Sequence, residues 1–283
     1  MVWVTWRHHR TQVAVCACLV AAACLLLYTL GAPMHVAWSN GPAGCLNVTA
    51  GACGGLLAGF QTRFAGSLEQ LLGWLNLLPP LIGAFIGAPL LAREFETGTW
   101  RLAFTQAVPR TRWLTTKILL LSTIVVILMA ALTAMFSWYR APLDLLETRF
   151  GPNSYDFEGL SLPAYALLAF AIGVLAGILL RRTLAAMAVT IGAFLAVRLP
   201  VETWLRPRLQ APLLVTGQAA APGRIPRTDW VVSSGPTGPH GPWALVEPGS
   251  RFWHFQILEV GLYTALAVSC LTAALIILRR QPR

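Results

Sequence analysis

The placement of the gaps in charge limits this chain more than any other feature. Asp, Glu, Lys and Arg are absent from residues 11–62, 70–92, 118–139, 159–180 and 183–197, and from 252–278 save for Glu259. One ionised side chain at mid-bilayer costs about 2.5–3.5 kcal/mol on insertion scales, so long intervals without one are what a membrane selects. Crossing a hydrocarbon core of about 30 Å takes about 20 residues at a rise of 1.5 Å each. The gaps at 70–92, 118–139 and 159–180 hold 23, 22 and 22 residues and meet that length. The gap at 183–197 holds 15, so a fifth span must run past Arg198, whose aliphatic stem lets its guanidinium snorkel to the interface. Six spans follow, at about 12–30, 70–92, 117–139, 160–180, 183–201 and 253–278, in one transmembrane domain covering 1–283. With 56% hydrophobic and 11% charged residues and a mean hydropathy of +0.64, the chain is not an ordinary soluble enzyme.

The net charge of +10 sorts by side. With the N-terminus inside, the inner segments hold Arg7, Arg10, Arg93, Arg101, Arg110, Arg112, Lys117, Arg181, Arg182, Arg279, Arg280 and Arg283 against only Glu94 and Glu96. The outer segments hold nine basic residues against eight acids. The basic excess therefore reads as a positive-inside topology with both termini cytoplasmic, not as a nucleic-acid footprint. A rival reading of the first span is a cleaved signal peptide, since Arg7 to Arg10 precede an alanine-rich run and Ala21-Ala22-Ala23-Cys24 loosely resembles a lipoprotein cleavage site. The apolar run continues through Leu25-Leu26-Leu27-Tyr28, which favours a retained span.

The outer connections are long, at about 31–68, 140–160 and 201–251. The last is dense in Pro and Gly and reads as neither a continuous helix nor a central strand. Trp204, Trp230, Trp243 and Trp253 are expected near the outer interface, and Leu56 to Leu72 as a shallow amphipathic helix. Spans two and four carry the pairs Gly83/Gly87 and Gly173/Gly177, and span six carries Gly261, Ala265, Ser269 and Ala273 at four-residue spacing. Small residues on one face let helices approach closely, either inside the bundle or at a dimer seam. Pro79, Pro80 and Pro89 should kink span two, which makes it either a moving part or a static irregularity.

Several chemistries lack their residues. There is no GxxxxGK[ST], and Lys117, the only lysine, is followed by Ile118, so the chain cannot cradle a nucleotide phosphate in a P-loop. His8, His9, His35, His240 and His254 show no metal-ligand spacing, and His8 and His9 fit an interfacial basic cap. No GxSxG stands with a matching Asp and His, so no catalytic residue and no metal site is assigned. Cys16, Cys18, Cys24 and Cys270 lie in apolar spans as small hydrophobes, whereas Cys45 and Cys53 share an outer loop where oxidation can join them. Asn47-Val48-Thr49 matches a glycosylation sequon, a pattern short enough to arise by chance. Within the membrane, Arg198 and Glu259 sit at similar depth and are expected to pair with one another, or Arg198 with Glu202 at helical spacing.

The segment between spans two and three is organised differently. On a helix Trp100, Phe104 and Val108 stack into an apolar stripe beside Arg101 and Thr105, a piece suited to the interface plane, and Pro109 ends it. Composition alone reads it as an amphipathic interfacial helix flanked by two acids and assigns it to membrane anchoring. The run Arg93-Glu94-Phe95-Glu96-Thr97-Gly98-Thr99-Trp100-Arg101-Leu102, with Gln106-Ala107-Val108-Pro109-Arg110-Thr111-Arg112-Trp113-Leu114 and Lys117, resembles the cytoplasmic loop between the second and third spans of type 2 ABC transporter permeases, exporters, most closely their actinobacterial branch. Arg198 to Arg208 and Phe252 to Gln256 with Glu259 extend the resemblance, while the long Pro/Gly-rich outer loop departs from it. The resemblance implies an all-α integral membrane protein of six transmembrane helices with a cytoplasmic interfacial coupling helix at about 93–116. It also implies a multi-pass location in a bacterial plasma membrane and a homodimer or a heterodimer with a second permease.

ATP and Mg would then belong to a separate ABC ATPase, with no cofactor in this chain. Arg93, Glu94, Glu96, Gly98, Thr99, Trp100, Arg101, Phe104, Arg110 and Arg112 would couple to that ATPase through complementary charge and apolar anchors, with Gly98 permitting the turn. The other readings are a non-transporting immunity or anchor protein and a membrane-embedded lipid-modifying enzyme, the latter without the clustered His, Asp or Cys it needs. The sparse polar groups in the spans favour a hydrophobic or amphipathic substrate.

Overall fold

The computed structural model describes residues 2–47, 53–64, 73–98, 110–221, 223–236 and 241–280. Among these, six helices are long and apolar enough to cross a membrane. They are span one (Val2–Ser39), span two (Gly73–Glu96, broken internally), span three (Arg110–Arg140), span four (Ser161–Leu180), span five (Thr183–Pro200) and span six (Phe252–Arg280). An even number of crossings puts both chain ends at one end of the bundle, here the terminal end; the opposite end is the loop end.

Most spans extend past their charge-free cores. Span one continues as helix to Ser39, through Pro33 and well past residue 30, and is carried beyond the hydrocarbon by ordinary helix propagation. Span five runs on through a π-helical turn (Val201–Leu205) and a 3₁₀ turn (Arg206–Arg208), so the connection expected from 201 begins only after Arg208. Of the expected helix at 56–72, the structure shows Gly54–Phe64, and residues 65–72 lie outside the described set.

Span four is the axis of the bundle. Spans two, three, five and six all pack on it, whereas span one packs chiefly on span three. Its residues are apolar on every side and nearly all buried, as a helix surrounded by other helices must be. The contact with span two uses both glycine pairs at once. A Cβ on Gly83 or Gly87 would lie 2.3 Å from the Ala169 carbonyl oxygen or 2.6 Å from that of Phe170, and one on Gly173 or Gly177 would lie 2.4 Å from the Gly83 oxygen or 2.6 Å from that of Ala88. These pairs therefore hold the chain to itself, leaving no seam there for a second copy. In lipid, apolar burial gives helices little reason to associate, so this close backbone approach supplies the dispersion contact instead. Gly261 of span six meets nothing within 4 Å, and Ala265 and Ser269 on its face are exposed.

The prolines of span two do not fall mid-helix. Pro79 and Pro80 open the helix Leu78–Ile82, and Pro89 opens Pro89–Thr97. First-turn positions suit proline because their N–H groups lack intrahelical acceptors. Between the two helices lies a π-helical turn, Gly83–Gly87, closed by the Ala88 N–H on the Gly83 carbonyl at 2.9 Å. The extra residue in that turn absorbs the acceptor that Pro89 cannot bond and the crowding its ring would cause.

The Pro/Gly-rich connection forms a three-stranded antiparallel sheet in the order β1 (Leu213–Thr216), β3 (Trp243–Glu247), β2 (Trp230–Gly235). A central strand is thus present where the proline density argued against one. No proline falls within a strand: they sit before, between and after the strands, at 212, 222, 226, 236, 239, 242 and 248, and leave each strand free to pair. Trp230 stacks on Phe150 at 5.5 Å and, with Tyr155, Phe252 and Phe255, seats the sheet on the loop end of span six. Trp204 and Trp253 remain exposed, while Trp230 and Trp243 are half-buried in the sheet. Cys45 and Cys53 form a disulfide that links the 3₁₀ turn Pro42–Asn47 to the residue before Gly54–Phe64.

If the glycine contact sets the spacing of spans two and four, Gly173→Ala should destabilise the detergent-purified protein by about 1–3 kcal/mol, the usual cost of overpacking. Gly192→Ala, at a position with nothing within 4 Å, should be neutral or stabilising by about 0.5–1 kcal/mol. Equal thermal midpoints for the two variants would contradict the close approach.

Candidate functional site

The terminal ends of spans two, three and five converge around Glu94 and Glu96. Span two ends at Thr97 with Gly98 in the left-handed region, at φ 70°, a conformation that costs a glycine nothing. One turn earlier, the half-buried Glu94 pairs with Lys117 of span three, whose ammonium also lies 3.9 Å from the centre of the Trp113 ring. Carboxylate and indole face together account for the burial of the chain's only lysine.

Glu96 points the other way. Its carboxylate accepts the Thr183 N–H at 3.0 Å and the Thr183 hydroxyl, which places a negative charge on the free amides at the start of span five. The guanidinium of Arg181, in the tight turn between spans four and five, lies 5.4 Å from the Phe95 ring. Arg93 and Arg112 are exposed. Thr99, Trp100, Arg101, Phe104 and Val108 lie outside the described residues, as does the side chain of Arg110, so the amphipathic stripe falls there too. The two acids that the sequence offers to a partner thus each have a partner within the chain. Both lie at the end of span two, and they tie that end to span three and to span five.

The polar groups inside the bundle lie toward the loop end. Arg198 does not snorkel: it is buried, paired with Asp156, and 3.4 Å from Glu202 and 3.5 Å from Glu259. Both contacts weighed from the sequence are present, and a closer one comes from Asp156, in the short helix Pro152–Phe157. Arg206, in the turn that ends span five, donates Nε to Glu259 Oε2 at 3.0 Å and Nη2 to Glu259 Oε1 at 3.0 Å and Asp156 Oδ1 at 2.9 Å. The Tyr165 hydroxyl of span four donates to Glu259 Oε1 at 2.6 Å. Two guanidiniums thus face Asp156, Glu259 and Glu202, and each buried carboxylate has a charge-assisted partner, as a site without water requires. Beside them, Gln256 accepts from Leu160 N–H and the Ser161 hydroxyl and donates to the Tyr155 carbonyl, fixing the start of span four on span six.

A second ion cluster lies between spans three and four. Arg140 Nε reaches Asp144 Oδ1 at 3.1 Å and Glu158 Oε1 at 3.3 Å, and Arg149 Nε reaches Glu158 Oε2 at 2.5 Å. The side chain of Glu158 is fully buried. Asp156, Arg206, Tyr165 and Gln256 escape sequence reasoning because their partners lie 41 to 101 residues away, where no local spacing can pair them. His9 is buried rather than part of an exposed cap, with Nδ1 2.9 Å from Gln12. Among the described residues no cluster of His, Cys, Asp and Glu is placed to hold a metal ion.

Burial, reinforced by the neighbouring Asp144 and opposed by Arg149 and Arg140, pushes Glu158 up to about 7 from its ordinary 4.5. A carboxyl that holds its proton more tightly folded than unfolded contributes stability that is complete below about pH 4.5 and lost as pH rises through about 7. Thermal unfolding in detergent should show a decline worth about 3 kcal/mol at most across that window. Glu158→Gln should flatten it, and an unchanged slope in that variant would assign the titration elsewhere.

The ABC-2 membrane transporter related family model matches residues 16–206, more than half of the chain, from span one through the turn that carries Arg206. No curated protein and no solved structure matches the chain. With six apolar helices and this match, the chain belongs to the ABC-2 membrane transporter related family and is a multi-pass, permease-like membrane component of ABC transport.

Proposed function

We propose that the chain is the permease subunit of an ATP-driven exporter, a non-catalytic membrane component powered by a separate ABC ATPase and paired with a second permease, identical or not. The observation that carries this reading is the double anchorage of the connection between spans two and three. The ion pair Glu94–Lys117 fixes it to span three, and the hydrogen bonds from Thr183 to Glu96 fix it to span five. A force applied to residues 99–109 is thereby delivered to three spans at once, which an anchor resting passively on lipid has no need of.

The reading places the terminal end in the cytoplasm of a bacterium, on the evidence of its arginine excess, with the loop end outside the plasma membrane. Trp100 and Phe104 then supply apolar anchors to a cleft on the ATPase, and Arg93, Arg101, Arg110 and Arg112 supply charge to its rim. Thr99, next in sequence to the turn at Gly98, would contribute its hydroxyl to the contact with the ATPase. ATP and Mg bind the partner, and this chain carries no cofactor. Alternating access then consists of spans two and four tilting about the π-helical turn at Gly83–Gly87, a local irregularity suited to bending.

A cavity of about 400 Å³ between spans one, two and three is lined by Val15, Leu19, Leu81, Phe85, Ile86 and Met129 among others, with Thr11 and Gln12 as its polar members. Such a lining favours a hydrophobic or amphipathic substrate.

Co-expression with an ABC ATPase that has a Walker A motif and comes from the same genome tests the assignment. Trp100→Ala combined with Phe104→Ala should reduce ATPase recovered with the purified permease at least tenfold, with unchanged membrane insertion and thermal midpoint. Glu96→Lys should retain the ATPase yet lose its stimulation, because docking survives while the link to span five is cut. Full stimulated turnover in both variants would defeat the coupling role.

A further inference from the structure

A cavity of about 920 Å³ at the loop end serves none of the roles above. It lies between the loop after span three and the β-sheet, and its lining combines both signs of charge with apolar wall. Arg140, Arg227, Glu147 and Asp229 contribute the charges, Leu146, Ile225 and Val231 much of the apolar surface. The volume falls within the range of small-molecule and short-peptide sites.

Arg140 is the unusual member. Its side chain is nine-tenths buried, and Nε is committed to Asp144 and Glu158. The outer edge of the guanidinium makes no hydrogen bond: Nη2 is buried, and its contact is the ion pair with Glu147 Oε2 at 3.7 Å, beyond hydrogen-bond range. A buried guanidinium nitrogen without a hydrogen bond is costly, so one that faces a cavity marks a place where an acceptor can bind. The planar fork is built to take a carboxylate.

The other charges narrow the choice. Arg227 donates one nitrogen, Nη1, to Gln61 Oε1 at 3.0 Å and is otherwise exposed. Asp229 Oδ1 accepts the Gly249 N–H at 2.9 Å. With Glu147 and Asp229 lining the same cavity as the two arginines, a dianionic phosphate meets repulsion as well as attraction, whereas a zwitterion finds a partner for each of its charges.

We infer that this cavity binds a short apolar peptide with free termini. Its carboxylate lies on the outer edge of Arg140 with help from Arg227, its ammonium faces Glu147 and Asp229, and its side chains lie against Leu146, Ile225 and Val231. The site does not depend on the ATPase assignment, since its residues are on the loop end and in contact with none of the groups around Glu94 and Glu96.

Calorimetric titration of the full chain in nanodiscs with trileucine tests this. Saturable binding is expected, weakened at least tenfold by amidating the peptide's C-terminus and more than twofold by acetylating its N-terminus. Arg227→Gln, an exposed change, should weaken trileucine binding several-fold with no loss of thermal midpoint, and Arg140→Gln should abolish it. Arg140 also holds Asp144 and Glu158, so if that variant fails to fold the peptide series on the unaltered protein decides the matter. Equal affinity for trileucine and its amide, no saturation up to about 10 mM, or tighter binding of inorganic phosphate than of trileucine would each overturn the proposal.

Discussion

Four glycines set the distance between spans two and four, and the rest of the bundle is arranged around that contact. In lipid the apolar faces of helices gain little by meeting one another, so a stable crossing needs backbones close enough for dispersion to matter. Gly83 and Gly87 against Gly173 and Gly177 provide it. With span two drawn in, span four becomes the buried axis on which spans three, five and six also pack. The same crossing carries the end of span two up to the start of span five, where Glu96 meets Thr183. Geometry at the terminal end thus follows from packing in the middle of the membrane.

Charge obeys a complementary constraint. Among the described residues, the buried pair Arg198 and Arg206 is matched at short range by Asp156, Glu202 and Glu259, and Lys117 by Glu94. The loop-end network joins spans four, five and six and the short helix Pro152–Phe157. It stitches together elements that the glycine contact does not reach. An arginine removed from it would leave buried carboxylates without counter-charge, which costs more than the intact network contributes.

The number and order of the spans were legible because one physical rule, the cost of a charge in hydrocarbon, acts on every residue independently. Helix ends were less so: span one runs to Ser39 and span five to Arg208, because a helix continues past the membrane when nothing stops it. Pro89 announced an irregularity, but whether a proline bends a helix or is absorbed by a π-helical turn depends on the neighbouring span. The partners of Arg198 were half legible, since Glu202 is one helical turn away while Asp156 is 42 residues distant. The β-sheet was hidden because its strands are four to six residues long and the composition of the intervening turns dominates the segment. At the terminal end, the types of residue were readable from spacing, but the engagement of Glu94 and Glu96 within the chain was not.

The burial of Lys117 has a consequence for the surface at that end. It is the chain's single lysine, and with its ammonium held between Glu94 and Trp113 every exposed side-chain cation among the described residues there is a guanidinium. Guanidiniums keep their proton at any pH a bilayer withstands, and their hydration is weak enough to let them lie flat against phosphodiester headgroups. The positive charge of those exposed side chains is therefore a fixed quantity, indifferent to acidification and beyond the reach of the acylations that neutralise lysine.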